Sequence, residues 1–343
     1  MTSFERVTRC LTFNTPDRVP RELWALPWFT TRHPDIMREM HERFPGDFGG
    51  PAWVFRPSAR AKGDSWKVGT SVDEWGCARV NIHDGVIGEI KDPILTDLAD
   101  YDRVIQPPWE TLPEDFDAAR DTVNRALGEP GGHDRYIKAH GCHNPWERYQ
   151  YLRGTVDAMC DVTDPENPLL RAALAKIHGF FMRQAEFWAA TDVDALNIMD
   201  DWGAQQQLLI PPVAWRALFK PLYRDLCDLA RANNKTVFMH SDGFIEEIYP
   251  DLIEIGVTAL NSQLFCMDLG RLAQYKGKIT FWGELDRQHT LASGDPGRIH
   301  RDVRRVADAL HDPRGGVIAQ FELGPGAHPD AGFHAFQAWE KIQ

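Results

Sequence analysis

From residue 136 onward the chain alternates short strand-like runs with amphipathic helical stretches. That alternation constrains the fold more than any other feature, because strands separated by helices pair in parallel, and a parallel sheet must be covered on its faces. The runs are YIKAHGC (136–142), DALNIMDD (194–201), KTVFMH (235–240), VTALNSQ (257–263), KITFWGEL (278–285) and GVIAQFEL (316–323). Between and after them, stretches such as NPLLRAALAKIHGFFMRQAEFWAAT and PGRIHRDVRRVADALH place apolar residues at helical spacing. PPVAWRALFKPLYRDLCDLARANN opens with prolines, which a first helical turn tolerates, and FIEEIYPDLIEIG closes on a glycine.

The region before residue 136 is less regular. SFERVTRCLTF has helical spacing, and VPRELWAL reads as a strand. Residues 28–135 are rich in Trp, Pro and Gly and predict long loops, a small hairpin around EWGCARVNIHDGVIGEI and a helix near 114–127. Taking PAWVF as one more strand brings the count to eight, which predicts a single (β/α)8 TIM barrel over 1–343 with an N-terminal helical and loop elaboration. An open doubly wound sheet is the alternative. It is disfavoured by the lack of a Gly-rich phosphate loop after the first strand.

A net charge of −12 argues against a nucleic-acid partner, which needs clustered Lys and Arg. The start of the chain lacks a signal-peptide core, and no run approaches a membrane span. The six cysteines form no CxxC pair. Together these predict a cytoplasmic protein with reduced thiols.

In a barrel of this kind the active site lies at the C-terminal ends of the strands. Those ends here carry His140 and Cys142, Asp200 and Asp201, His240 and Asp242, Asn261 and Gln263, Glu284 and Asp286, and Gln320 and Glu322. His240 and Asp242 stand two apart, so on an extended segment they face the same way and can share a metal or a proton. Each residue also has an ordinary reading. Asp200-Asp201 serves equally as a helix cap, His240 as a hydrogen-bonded core histidine, Glu284 and Asp286 as a helix N-terminal pair, and Cys266 as a small residue. The tryptophans are core material by default, although Trp24, Trp28 and Trp53 fall where a barrel mouth is lined. His328, in the last loop, reaches toward the same mouth.

Several ordered motifs carry a resemblance that spans nearly the whole chain. SFERVTRCLTFNTPDRVP, SVDEWGCARVN…GEIKDPIL, NIMDDWGAQQQLLIPPVAWRALFKPLYRDL, HSDGFIEEIYPDLIEIGVTALN and ITFWGELDRQHTLASGDP resemble the uroporphyrinogen decarboxylase superfamily. The resemblance implies a (β/α)8 barrel and one of two activities: decarboxylation, or methyl transfer linked to cobalamin. The decarboxylases' Arg-Gln-Ala-Gly-Arg motif is absent from LWALPWFTTRHP, and Pro325 stands where their late histidine falls. The cobalamin-dependent methyltransferases carry a His-X-Cys pair and a later Cys that bind zinc. Here His240 is kept, Asp242 replaces the first Cys, and Glu322 aligns with the second. The resemblance therefore implies His240, Asp242 and Glu322 as ligands of a divalent metal such as zinc.

On this reading Asp200 and Asp201 contact substrate or support the ligands, with Asp201, Asp200 and His240 as the catalytic set. Gln205, Asn261, Trp24, Trp28 and His328 line the substrate pocket. A harder ligand set suits polarisation of an oxygen, as in a methyl ether. The corrinoid (cobalamin) would arrive on a separate protein, the substrate would be a small methylated compound, and a homodimer is the expectation the family suggests. Two rivals remain. One is a decarboxylase or lyase on the same barrel, with Arg21, Arg32 or Arg56 binding carboxylates. The other is a non-catalytic module that binds a tetrapyrrole or a corrinoid protein.

Overall fold

The computed structural model describes residues 1–342. Its strands are β1 (Arg21–Ala25), β2 (Phe48–Gly49), β3 (Gly69–Val72), β4 (Ala78–Asn81), β5 (Glu89–Ile90), β6 (Tyr136–Ile137), β7 (Ala195–Met199), β8 (Thr236–Ser241), β9 (Ala259–Ser262), β10 (Thr280–Trp282) and β11 (Val317–Leu323). Six of them form one parallel sheet in the order β7-β8-β9-β10-β11-β1, curled into a half-barrel. The first strand sits beside the last because Arg21–Ala25 pairs in register with Ala319–Leu323.

The remaining arc is spanned by β2 and β6, which pair with each other in parallel. Beside them, Asp47 N–H donates to the Arg21 carbonyl at 3.0 Å, and Ala139 N–H donates to the Ala195 carbonyl at 2.9 Å. The expected strand PAWVF is not one. Its proline has no N–H to give a ladder, Trp53 is largely exposed, and the pairing segment is Phe48–Gly49 instead.

The N-terminal helix Ser3–Leu11 begins with a capping box between Thr2 and Glu5. Its buried face (Val7, Cys10, Leu11) packs with Phe48, Tyr136, Ala195, Phe238, Ala259, Trp282 and Ile318. The helix ends against the start of β11, where Gly316 N–H donates to the Cys10 carbonyl. It thus covers the N-terminal end of the sheet and leaves the C-terminal strand ends for chemistry. Buried Asp47 ties this end together, accepting from Arg6, Arg18, Ser3 and the Arg21 backbone.

A larger core lies between the strands and the outer helices, chief among them Pro168–Ala189, Lys220–Ala232 and Pro296–Leu310. The expected hairpin is present as the antiparallel sheet β3-β4-β5. The turn after β4 reaches the helix that follows β1 (Pro27–Arg32), where the Trp28 N–H donates to the Gly85 carbonyl. The six cysteines are free. Among the described residues no helix is long and apolar enough to cross a membrane.

A candidate metal centre at the strand ends

Strand β8 runs Val237-Phe238-Met239 through the core, and its last residues carry the polar groups. His240 is 9 % exposed, and its ring lies 5.3 Å from that of Trp24. His240 Nδ1 lies 2.6 Å from Asn261 Oδ1. The Asn261 amide group donates to the Trp282 carbonyl and to Gln320 Oε1. Because the Trp282 carbonyl can only accept, the group facing it must be the NH2, and the amide oxygen must face the histidine. Nδ1 therefore carries a hydrogen, and in the neutral ring the lone pair sits on Nε2.

His240 Nε2 lies 3.5 Å from Asp201 Oδ1 and 3.6 Å from Asp242 Oδ1. The three side chains each offer a ligand atom, and these atoms lie within 4.8 Å of one another. Asp201 is held by the Asp242 backbone N–H, which donates to its Oδ1 at 2.9 Å. Asp242 is held by Gln263, whose amide donates to its Oδ1 at 3.0 Å. Burial disfavours the imidazolium, but the carboxylates of Asp201, Asp242 and Glu284 outweigh it and raise the His240 pKa. Burial likewise raises that of Asp201, opposed by His240. One histidine nitrogen and two carboxylate oxygens, with the ring fixed by an amide behind it, fit a divalent cation.

The third member of the group is thus Asp201, and Glu322 lies outside it. Arg287 stands between. Its guanidinium donates to Asp242 Oδ1 at 2.6 Å and Glu322 Oε1 at 2.8 Å, and pairs with Glu284 Oε2 at 2.8 Å. Glu284 is 2 % exposed, and its other oxygen has no hydrogen-bond partner among the described residues. Burial pushes its carboxyl up to about 8. The arginine opposes this but does not prevail, because one cation is shared among three carboxylates.

A cavity of about 250 Å³ opens beside this cluster, lined by Gln205, Gln263, Cys266, Glu284, Arg287 and neighbours. Cys266 stays outside the metal group, with its sulfur 3.5 Å from Gln263 Oε1. On the interior side, Trp282 meets Trp24 edge-on at 5.2 Å, and its indole N–H donates to Glu22. Glu22 also pairs with buried Lys138 at 2.7 Å, whose pKa burial lowers against the pull of Glu22.

The other anticipated residues are placed as follows. Asp200 is fully buried and serves structure: it accepts from the Trp146 and Glu147 backbone N–H groups, at the start of helix Pro145–Arg153, and from the Tyr223 hydroxyl. Asn261 orients His240 rather than facing substrate. Gln205 lines the cavity and Trp24 flanks His240. Trp28 stacks under the Arg32 guanidinium at 4.4 Å. His328 sits in its own loop, where its Nδ1 accepts from the Asp330 N–H. None of Arg21, Arg32 and Arg56 forms an ion pair or hydrogen bond with the cluster. Arg21 is buried against Phe44 and Phe336, and Arg56 pairs with Glu114. Arg287, missed in the sequence, lies in a loop without periodicity, and only its place beside Glu284 and Asp286 signalled it.

No family model and no curated protein matches the sequence. Among solved structures, the chain is similar to a methyltransferase from Methanosarcina mazei, with a TM-score of 0.71 and 15 % identity over 99 % of both chains. That likeness is one of fold. Partial matches, each covering 49 % of this chain, are to an IolI protein with a bound zinc atom (14 % identity, 69 % of that chain, TM-score 0.33) and to Xanthomonas albilineans dihydropteroate synthase (17 % identity, 58 % of that chain, TM-score 0.28). Neither carries an argument here.

Proposed function

We propose that the chain is a metal-dependent methyltransferase of the uroporphyrinogen decarboxylase superfamily, closer to its cobalamin-dependent branch, with its eight parallel strands forming one closed (β/α)8 barrel. The observation that carries this reading is the tautomer-fixed His240, whose Nε2 faces two carboxylate oxygens at the strand ends. The full-length likeness of fold to a methyltransferase supports it.

His240, Asp242 and Asp201 would hold the metal, zinc being the natural candidate for such a site. A divalent ion there supplies Lewis acidity toward a substrate oxygen. The set contains no thiolate, so it favours an oxygen leaving group, as in a small methyl ether, over a thiol. The cavity of about 250 Å³ beside the cluster gives the substrate its place, with Gln205 and Gln263 as hydrogen-bonding groups on its wall. As the methyl–oxygen bond breaks, the electron pair stays on the oxygen. Glu284, a buried carboxyl on the same wall whose pKa burial raises in the metal-free protein, would be the group placed to give that oxygen a proton. The methyl acceptor in this reading is a corrinoid brought by a separate protein.

The test is to incubate zinc-loaded protein with a panel of small methyl ethers and cob(I)alamin as the probe acceptor. Formation of methylcobalamin and of the demethylated product, lost in Asp242→Ala, is expected. Full activity in metal-free protein would overturn the proposal.

A further inference from the structure

One oxygen of the cluster has more claims on it than it can meet. Asp242 Oδ1 lies 3.6 Å from His240 Nε2, and Asp201 Oδ1 lies 3.5 Å from the same nitrogen. Such separations suit neighbouring ligand atoms around an ion bound at about 2.0–2.2 Å. Yet Asp242 Oδ1 already accepts from Arg287 Nη2 at 2.6 Å and from the Gln263 amide at 3.0 Å. A carboxylate oxygen offers two lone pairs, so these two donors fill it. An ion that takes Oδ1 must displace one of them. The guanidinium is the one to leave, because it carries a like charge. A neutral amide donating to a ligating carboxylate, as Gln263 does, is the usual outer partner of a metal site.

Displacement does not set Arg287 loose. Its Nε stays on Glu284 Oε2 and its Nη1 on Glu322 Oε1, each at 2.8 Å. The edge that loses its partner is Nη2, on a side chain that is 26 % exposed and lines the cavity of about 250 Å³ beside the cluster. The charge that had balanced it is then spent on the ion. Other acceptors on that wall are engaged. Gln205 Oε1 faces the Gln288 amide at 3.4 Å, Gln263 Oε1 accepts from the Gly243 N–H at 3.0 Å, and Asp286 Oδ1 accepts from the Gln288 and His289 backbone N–H groups. A freed guanidinium edge on a cavity wall is a carboxylate-binding group.

We infer that Arg287 is a resident counter-cation which the metal displaces from Asp242, and that its freed Nη2 edge then binds the carboxylate of a small molecule in the cavity. Metal and carboxylate therefore bind cooperatively, each strengthening the other by the same factor. In the metal-free protein Asp242 itself occupies the guanidinium and competes with the anion. The inference rests on the metal-dependent reading above and adds the charge of its substrate: a small methyl ether that also carries a carboxylate.

The experiment is calorimetric titration of the full chain, metal-free and zinc-loaded, with methoxyacetate and its neutral counterpart 2-methoxyethanol. Arg287→Met removes the guanidinium, and Arg287→Gln serves beside it should the first variant fail to fold. The expected result is that zinc strengthens methoxyacetate binding by about tenfold or more, leaves 2-methoxyethanol little changed, and loses this effect on methoxyacetate in the Arg287 variants. Saturating methoxyacetate should raise zinc affinity in wild type by the same factor. Equal methoxyacetate affinity with and without zinc would overturn the inference while leaving the metal centre standing. Zinc-dependent binding that persists in the Arg287 variants would place the carboxylate on the ion itself and overturn it too. A wild type that takes up no zinc would overturn the metal-dependent reading, and the inference with it.

Discussion

Asn261→Leu gives a quantitative check on how the candidate centre is built. The side chain is fully buried and makes three contacts: it accepts from His240 Nδ1 at 2.6 Å and donates to the Trp282 carbonyl and to Gln320 Oε1. Leucine is close in volume, so the cavity term is small and the loss is mainly of hydrogen bonding. Each buried group left without its partner costs about 1–3 kcal/mol. Three such groups, partly relieved by relaxation, give a destabilisation of about 3–6 kcal/mol. The second effect is on metal affinity. Without the amide oxygen the ring is no longer held with Nε2 toward Asp201 and Asp242, and loss of such an orienting partner weakens metal binding by about 10–100-fold. Urea denaturation of the metal-free protein reads the first quantity, and competitive zinc titration of the folded variant reads the second. A variant that loses less than about 1 kcal/mol and binds zinc as tightly as wild type would refute the account of Asn261 as the group that fixes His240.

Two further perturbations have signs that the structure sets. Arg287→Met removes the cation shared by Asp242, Glu284 and Glu322. The side chain is partly exposed, so the metal-free protein should lose about 2 kcal/mol rather than the full cost of breaking a buried pair; zinc affinity should rise, because Asp242 is released, and weaker zinc binding would contradict this. Glu284→Gln tests the buried carboxyl. Burial raises its folded pKa to about 8 from the ordinary carboxyl value of 4.5, so the native state holds the proton more tightly than the unfolded chain, and this contribution is full below about 4.5 and lost as pH rises through about 8. The stability of the metal-free wild type should therefore fall across that window more steeply than that of the variant, as read by urea denaturation at a series of pH values.

The half-barrel was legible in the sequence because its strands obey a rule that local pattern reports. Runs such as TVFM and VIAQF alternate with helices long enough to show a period, and they appear in the structure as β8 and β11. β6 was read within YIKAHGC and is shorter in the structure, whereas β2 was not legible. Two-residue strands have no period, and PAWVF, richer in strand-forming residues than Phe48–Gly49, drew the assignment one segment too far along. At the site, His240 and Asp242 were legible because spacing of two at a strand end fixes a common side. Asp201 and Asp200 looked equivalent in sequence, yet one reaches the histidine and the other anchors helix Pro145–Arg153; only the turn after β7 separates them. Glu322 was implied by the resemblance, through alignment with a cysteine, which carries no information about the Arg287 guanidinium that donates to its carboxylate.

The central claim is that His240, Asp242 and Asp201 form one metal centre and that Glu322 stands outside it. Zinc stoichiometry and affinity, measured by calorimetry on wild type, Asp201→Ala and Glu322→Gln, test it most directly. The account predicts one zinc per chain in wild type, loss of about 100-fold or more in affinity for Asp201→Ala, and retained stoichiometric binding in Glu322→Gln. Zinc binding that survives Asp201→Ala but is lost in Glu322→Gln, or a wild type that takes up no divalent metal, would contradict it.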